Sequence, residues 1–164
     1  MALEAKKIYR PDWDQYFMKL AFLAAERSTC RRHHVGAVIV RNKRLLTTGY
    51  NGAAAGTADC LELGCLREQL GIPSGQRHEI CRAIHAEQNA IIQAGLHGIS
   101  IKDAIIYCTH SPCILCAKML VNAGIQKFVM CIDYPDGGFK ALFDEAGVAY
   151  QKLPRPDLSI SLLE

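Results

Sequence analysis

An α/β domain, with helices on both faces of a mixed sheet, is the fold class that the sequence predicts. Three features predict it. Near the start, Phe17, Leu20, Ala21 and Ala24 recur at helical spacing within residues 13–28, the mark of an amphipathic helix. Two β-rich runs follow, "VGAVIV" (35–40) and "LLTTGY" (45–50), separated only by "RNKR", which reads as a hairpin. Finally, residues 104–133 form a strand–helix–strand unit whose short connections make its two strands parallel.

The remaining elements fall between these. From 51 to about 78 the chain is rich in Gly, Ala and Cys and has weak periodicity. "HAEQNAIIQAG" (85–95) is a helix with a glycine stop. "AIIYCTH" (104–110) and "KFVMCID" (127–133) are apolar strands, and "SPCILCAKMLVNAG" (111–124) is the helix between them. A short helix around 139–146 and a polar tail close the chain. The 164 residues suit one domain, 1–164, with a full core.

Composition narrows the class of function. Half the chain is hydrophobic and the net charge is +3, with 19 basic residues scattered among 16 acidic ones, so no polyanion partner is demanded. The start, "MALEAKKIYRPDWDQYF", has no apolar run of signal-peptide length, and no window approaches the ~20 apolar residues of a membrane span. A soluble cytoplasmic protein without a membrane partner is expected. In a reducing compartment its eight cysteines are metal ligands or buried thiols rather than disulfides. Cys108 and Cys131, inside apolar strands, read as small core residues.

The chemistry concentrates at two helix starts. Ser111 can cap, Pro112 suits the first helical position, and Cys113 and Cys116 share one face of the first turn. Unpaired N–H groups and the helix dipole favour thiolates there. Two thiolates need partners to complete a tetrahedral zinc, and a catalytic site leaves one position to water. His85 can supply the third ligand and Glu87 can handle protons. Cys81 stands four residues before His85, a spacing that would put both on one helix face and pose the question of a shared metal. Taken alone, a CxxC is a redox pair or structural knuckle, and a lone histidine belongs to a core. Together and in order, H-x-E then P-C-x-x-C form the signature of zinc deaminases.

With these motifs in hand, the chain resembles the deoxycytidylate (dCMP) deaminases of the cytidine deaminase superfamily, in the branch that includes late-competence proteins of bacteria. The resemblance runs over residues 13–147 through "VGAVIV", "TTGYNG", "HAEQNAI", "YCTHSPCILCAKML" and "NAGI". It implies a three-layer cytidine-deaminase-like fold and hydrolysis of dCMP to dUMP and ammonia. In the family's chemistry a catalytic zinc on His85, Cys113 and Cys116 polarises water, and Glu87, which is not a ligand, moves protons to the ring N3 and the exocyclic amine. The rivals are deaminases of cytidine, guanine or tRNA adenosine, and a non-catalytic zinc-stapled module that binds nucleic acid or proteins. An aromatic content of 7% argues against a tRNA enzyme, and Glu87 argues against a purely structural site.

The resemblance places Asn51 at the pocket mouth, although an asparagine before glycine is equally a turn residue. A 5′-phosphate calls for an arginine, and Arg31 and Arg32 are the candidates, Arg32 matching the family's C-x-R pattern. Ala86 and Tyr134 complete the expected substrate contacts. Family members are commonly hexamers activated by dCTP and inhibited by dTTP, so a homo-oligomer with those effectors is implied, with the "GYNGAAAG" stretch the favoured effector region.

Cysteines are left over. The insert at about 51–81 has little apolar content and exceeds the ~12–15 residues at which structureless loops become uncommon. It cannot bury enough surface to order itself, so a staple is expected. Cys30, at the end of the first helix, with Cys60, Cys65 and Cys81 would make a closed structural zinc site, His78 being the alternate ligand. Members of the branch carry a second zinc near here with a variable ligand set. On this reading Cys81 and His85 serve different metals, and buried free thiols are the competing account.

Overall fold

The computed structural model describes residues 10–160; the first nine residues of the start and the last four of the tail lie outside the described residues. The chain enters through α1 (Trp13–Ala25), where the Asp12 carboxylate accepts from the Gln15 N–H and the Gln15 side chain accepts from the Asp12 N–H. The expected hairpin follows as β1 (Gly36–Arg41) and β2 (Arg44–Tyr50). Its two turn residues, Asn42 and Lys43, have φ of 52° and 59°, the left-handed pair that matches the twist of the flanking strands.

A two-stranded ribbon, β3 (Gly52–Ala53) with β4 (Ala83–Ile84), brackets the insert. Within it lie two single-turn helices, α2 (Cys60–Leu63) and α3 (Leu66–Gln69). Then come α4 (Ala86–Leu96), β5 (Ile105–His110), α5 (Ile114–Asn122), β6 (Lys127–Ile132), α6 (Phe139–Ala146) and β7 (Ala149–Lys152).

The sheet runs β2-β1-β5-β6-β7, with β1 antiparallel to both neighbours and β5, β6 and β7 parallel. This is the mixed sheet expected, and side-chain alternation splits its core in two. Val38, Val40, Tyr107 and Val129 pack under Phe17, Met18 and Ala21 of α1. Ala37, Ile39, Ile106, Cys108, Phe128 and Met130 pack with Ala90, Leu120 and Phe143 of the other helices. Cys108 and Cys131 are both buried, as read from the sequence. Two strand glycines let the layers close. A Cβ on Gly36 would lie 2.0 Å from the Ala21 carbonyl oxygen, and one on Gly49 would lie 2.2 Å from that of Ala86. The second contact seats the start of α4 on β2, and with it the residues of the site.

Four expectations change. The first helix stops at Ala25, not near 28, because the Ser28 N–H returns to Ala25 and the Thr29 N–H goes to the Asn51 carbonyl; Cys30 therefore lies beyond the helix rather than at its end. The helix expected from Ser111 starts at Ile114 with Cys113 as its cap. Ser111 is held by the sheet edge instead, its N–H bonded to Ile132 and its hydroxyl accepting from the Tyr134 N–H. Cys81 and His85 share no helix face, since β4 separates them. The tail contributes an edge strand, β7, that its polar composition conceals. Among the described residues no helix is long and apolar enough to cross a membrane.

Candidate active site

His85 caps α4 and Cys113 caps α5, so two helix starts deliver the key side chains to one point. The His85 N–H is satisfied by Gln88 Oε1 at 2.9 Å, and Cys113 Sγ accepts from the Cys116 N–H at 3.5 Å. His85 Nδ1 stands 3.4 Å from Cys113 Sγ and 3.3 Å from Cys116 Sγ, and all three donor atoms lie within 4.8 Å of one another. Zinc–nitrogen and zinc–sulfur bonds of about 2.0 and 2.3 Å imply a tetrahedral edge of about 3.6 Å. The residues fit that ion.

Their electrostatics fit it too. The hydrogen bond from Cys116 is the largest influence on Cys113, holding its thiol down at about 4 against the opposing effect of burial, with His85 assisting. The same shared bond, then burial, pushes Cys116 strongly up. Unaided, the pair therefore carries one negative charge, and a cation is what makes both sulfurs thiolates. Burial would lower His85, but its hydrogen bond to Cys113 and the charge of Glu87 raise it overall.

Glu87 occupies the first turn of α4 and is only 4% exposed. Burial is the main cause that pushes its carboxyl up to about 7, against the pull of His85. A carboxyl balanced near neutrality beside a metal-ligand trio can take a proton and give it back.

Beside this centre lies a cavity of about 60 Å³. It is lined by all four expected substrate contacts, Asn51, Ala86, Arg32 and Tyr134, together with Glu87, His85 and Cys113. Asn51 is not a free turn residue. Its Oδ1 accepts from Ser28 Oγ at 2.6 Å and from the Val35 N–H at 2.9 Å, and its Nδ2 donates to the His33 carbonyl at 2.8 Å. The amide thus braces the loop before β1 while facing the cavity. Arg32 Nη1 donates to the Ile72 carbonyl at 3.0 Å, and the Tyr134 hydroxyl accepts from the Gly75 N–H at 3.2 Å. Arg31 is exposed and does not line the cavity.

Three of the lining residues that were not anticipated carry basic side chains. Arg67, 5% exposed, donates through Nη2 to the Pro73 carbonyl at 3.3 Å and leaves Nε buried without a partner. His33 bonds Ser74 Oγ at 2.9 Å and is lowered by burial, then by Arg32 and Arg67. His110 is lowered to about 4 by burial and then by His33. In "GCLREQL" Arg67 reads as a solvated helix charge, so nothing local signals its burial.

Cys30, Cys60, Cys65 and Cys81 line this cavity as well. The Cys60 thiol is raised first by burial and then by Cys30, Cys65 and Cys81 around it. Among the described residues, His85, Cys113 and Cys116 are the group whose donor atoms have closed to ligand spacing. His78 packs its ring against His85, centroids 4.9 Å apart, with both nitrogens buried and unpartnered.

Comparison with known proteins follows this geometry. Residues 11–132 match the model of the cytidine and deoxycytidylate deaminase zinc-binding region. The chain is 39% identical to the deoxycytidylate deaminase of Schizosaccharomyces pombe over 93% of its own length and 47% of the relative's, so it spans about half of that protein. It is 40% identical to ComE operon protein 2 of Bacillus subtilis, covering 93% of this chain and 77% of that one. A crystal structure of dCMP deaminase from the cyanophage S-TIM5, in complex with dCMP and dUMP, superposes with a TM-score of 0.75 at 31% identity, over 89% of this chain and all (100%) of that one.

Proposed function

The chain belongs to the cytidine and deoxycytidylate deaminase zinc-binding family, and from that premise we propose that it hydrolyses dCMP to dUMP and ammonia. The observation that carries the proposal is the buried Glu87 carboxyl set beside the His85–Cys113–Cys116 trio at the wall of a cavity. The cyanophage relative, solved with dCMP and dUMP, supports the substrate.

His85, Cys113 and Cys116 would hold the zinc. When bound, zinc supplies the Lewis acidity that makes hydroxide accessible near neutral pH. Glu87 does the proton work. It takes a proton from the attacking water and donates it to N3 of the base, then takes the second proton from the new C4 hydroxyl and delivers it to the exocyclic amine. The water oxygen bonds to C4, the C4–N bond breaks, and ammonia leaves. Burial keeps Glu87 near neutrality, so it can act in both directions. His33 and His110, both lowered, present neutral rings to the substrate side of the cavity.

Three further readings belong to the proposal. A second, structural zinc is held by Cys30, Cys60, Cys65 and Cys81, with His78 as alternate ligand; the convergence of the four thiols on one cavity supports it. The protein works in the cytoplasm as a homo-oligomer, with the hexamer favoured. Its activity responds to dCTP and dTTP. Ammonia release from dCMP, dCTP, deoxycytidine, cytidine and guanine tests the substrate, with dCMP expected to lead; failure on every cytosine compound would sink the proposal. Metal analysis should return two zinc per chain, light scattering a mass above the monomer, and effector titration opposite responses to the two nucleotides.

A further inference from the structure

One end of the β1–β5 ladder is finished by a side chain. The last backbone pair there is Ala37 with Cys108, which sets Gly36 opposite Thr109. The Gly36 N–H donates to Thr109 Oγ1 at 3.2 Å. Thr109 is fully buried, and its hydroxyl oxygen stands 2.8 Å from His110 Nδ1. Gly36 is itself pinned by α1, since a Cβ there would lie 2.0 Å from the Ala21 carbonyl oxygen.

This geometry decides where the His110 proton sits. Among the described residues, Nδ1 is the acceptor within reach of the Thr109 hydroxyl proton. A buried O–H needs an acceptor, so it donates to Nδ1, and Nδ1 must be bare. The reverse arrangement, with Nδ1–H donating to Oγ1, would leave the hydroxyl proton without one. The neutral ring therefore carries its proton on Nε2. Nε2 has no partner among the described residues and is not sealed away, so it opens on the cavity that the ring lines.

A fixed N–H donor in a cavity wall calls for an acceptor on the ligand, and the charge of the ring says which kind. Protonating His110 would turn a second N–H against the Thr109 hydroxyl and set an imidazolium beside the His33 ring, centroids 5.9 Å apart. Burial and then His33 hold the ring neutral, down at about 4. Phosphates are gripped by cations, whereas a neutral N–H suits an uncharged oxygen. We propose that His110 is a specificity-determining residue whose Nε2–H donates to an uncharged oxygen of the substrate's nucleoside part, the pyrimidine 2-oxo group or the sugar hydroxyl, and that Thr109 is the positioning residue that fixes this tautomer. The ligand rests on the nucleotide reading above; the tautomer does not.

Ring-nitrogen NMR of the intact protein tests the tautomer with no ligand present: Nε2–H is expected, and an Nδ1–H ring would overturn the proposal. Calorimetry with dUMP and turnover of dCMP test the contact. His110→Leu should weaken dUMP binding and raise the KM for dCMP by roughly 3- to 10-fold, the scale of one neutral hydrogen bond, with kcat little changed. His110→Gln, which keeps an amide N–H, should recover part of the loss. Thr109→Val, close in shape but without the hydroxyl, should move dUMP binding in the same direction, and Thr109→Ser should restore it. Should Thr109→Val fail to fold, the ring-nitrogen measurement decides the tautomer alone. Turnover of 2′,3′-dideoxycytidine monophosphate separates the two oxygens. Equal KM values for parent and His110→Leu would place the acceptor on the sugar, and a loss as large as that on dCMP would place it on the base. His110→Leu binding dUMP as tightly as the parent would overturn the contact and leave the function standing. A parent that binds dUMP through His110 but deaminates no cytosine compound would overturn the function and leave the contact standing.

Discussion

The two sides of the cavity are built by different means. On the sheet side, His85, Glu87, Cys113 and Cys116 sit on two ordinary helices pressed against a five-stranded sheet. On the other, residues between β3 and β4 form two four-residue helices and connecting loops, held by side-chain-to-backbone bonds and by proximity of cysteines. The sheet side has a hydrophobic reason to exist whether or not anything is bound. The insert has Leu61, Leu63, Leu66 and Leu70 exposed and buries chiefly Cys60, Cys65 and Arg67. The acid–base and metal-ligand side chains stand on the side fixed by the hydrophobic core, and the insert contributes Cys60, Cys65, Arg67, Ser74 and Cys81 to the cavity's wall.

Four measurements break or sharpen that contrast. The largest effect belongs to the rigid side: Glu87→Gln should lower kcat by about 10³-fold or more while zinc stays bound, because proton transfer is lost and the ligands are not. Assays of turnover and metal content on one preparation check it. Next is the insert's staple. Replacing Cys60 and Cys65 together by serine should remove one zinc, leave the other, and cost more than about 4 kcal/mol of stability. An unchanged zinc count and melting temperature would show that the insert is held without metal.

The third measurement asks how tightly sheet and site are joined. Gly49→Ala places a methyl 2.2 Å from the Ala86 carbonyl oxygen and 2.5 Å from the Ala90 nitrogen, both backbone atoms. Denaturant unfolding should show a loss of about 3 kcal/mol. Activity should fall beyond what the unfolded fraction explains, because α4 carries His85 and Glu87. The smallest effect is acid sensitivity. His110 is held at about 4 in the folded chain against an ordinary value of 6.5, so below pH 6.5 the unfolded chain takes up a proton that the folded chain refuses. Stability is therefore intact above that value and is lost as pH falls from about 6.5 to about 4, amounting to about 2 kcal/mol by pH 5. His110→Gln should flatten this limb of the stability–pH curve.

The same contrast governs what could be read from the amino acids alone. The unit at residues 104–133 was legible because a change from β-rich runs to helical spacing is local. The trio with Glu87 was legible because metal ligation demands particular residue types at particular spacings. The stop of α1 and the late start of α5 were not, since partners distant in sequence decide them: the Asn51 carbonyl takes the Thr29 N–H, and Ile132 takes that of Ser111. Arg67 was hidden for a related reason. Its flanking residues Leu66, Glu68 and Gln69 are exposed, and only contact with groups brought in by the fold, such as the Pro73 carbonyl, buries it. Arg32 was singled out through its pattern and lines the cavity, but its partner at Ile72 lies 40 residues along the chain.

His85 and Cys113 each do two jobs, as the first residue of a helix and as a donor atom of the trio. Helix initiation and chelation therefore draw on the same residues. The Cys113 sulfur that zinc would fix is also the acceptor for the Cys116 N–H, so the ion would steady the first turn of α5 directly and hold the cap residue of α4 through His85. A chelator would unravel the protein from that point outward: the opening turns of the two helices would exchange their amide protons first, while β1, β5 and β6, sealed between layers, kept theirs. The metal is, in that sense, the knot at which two threads of backbone begin.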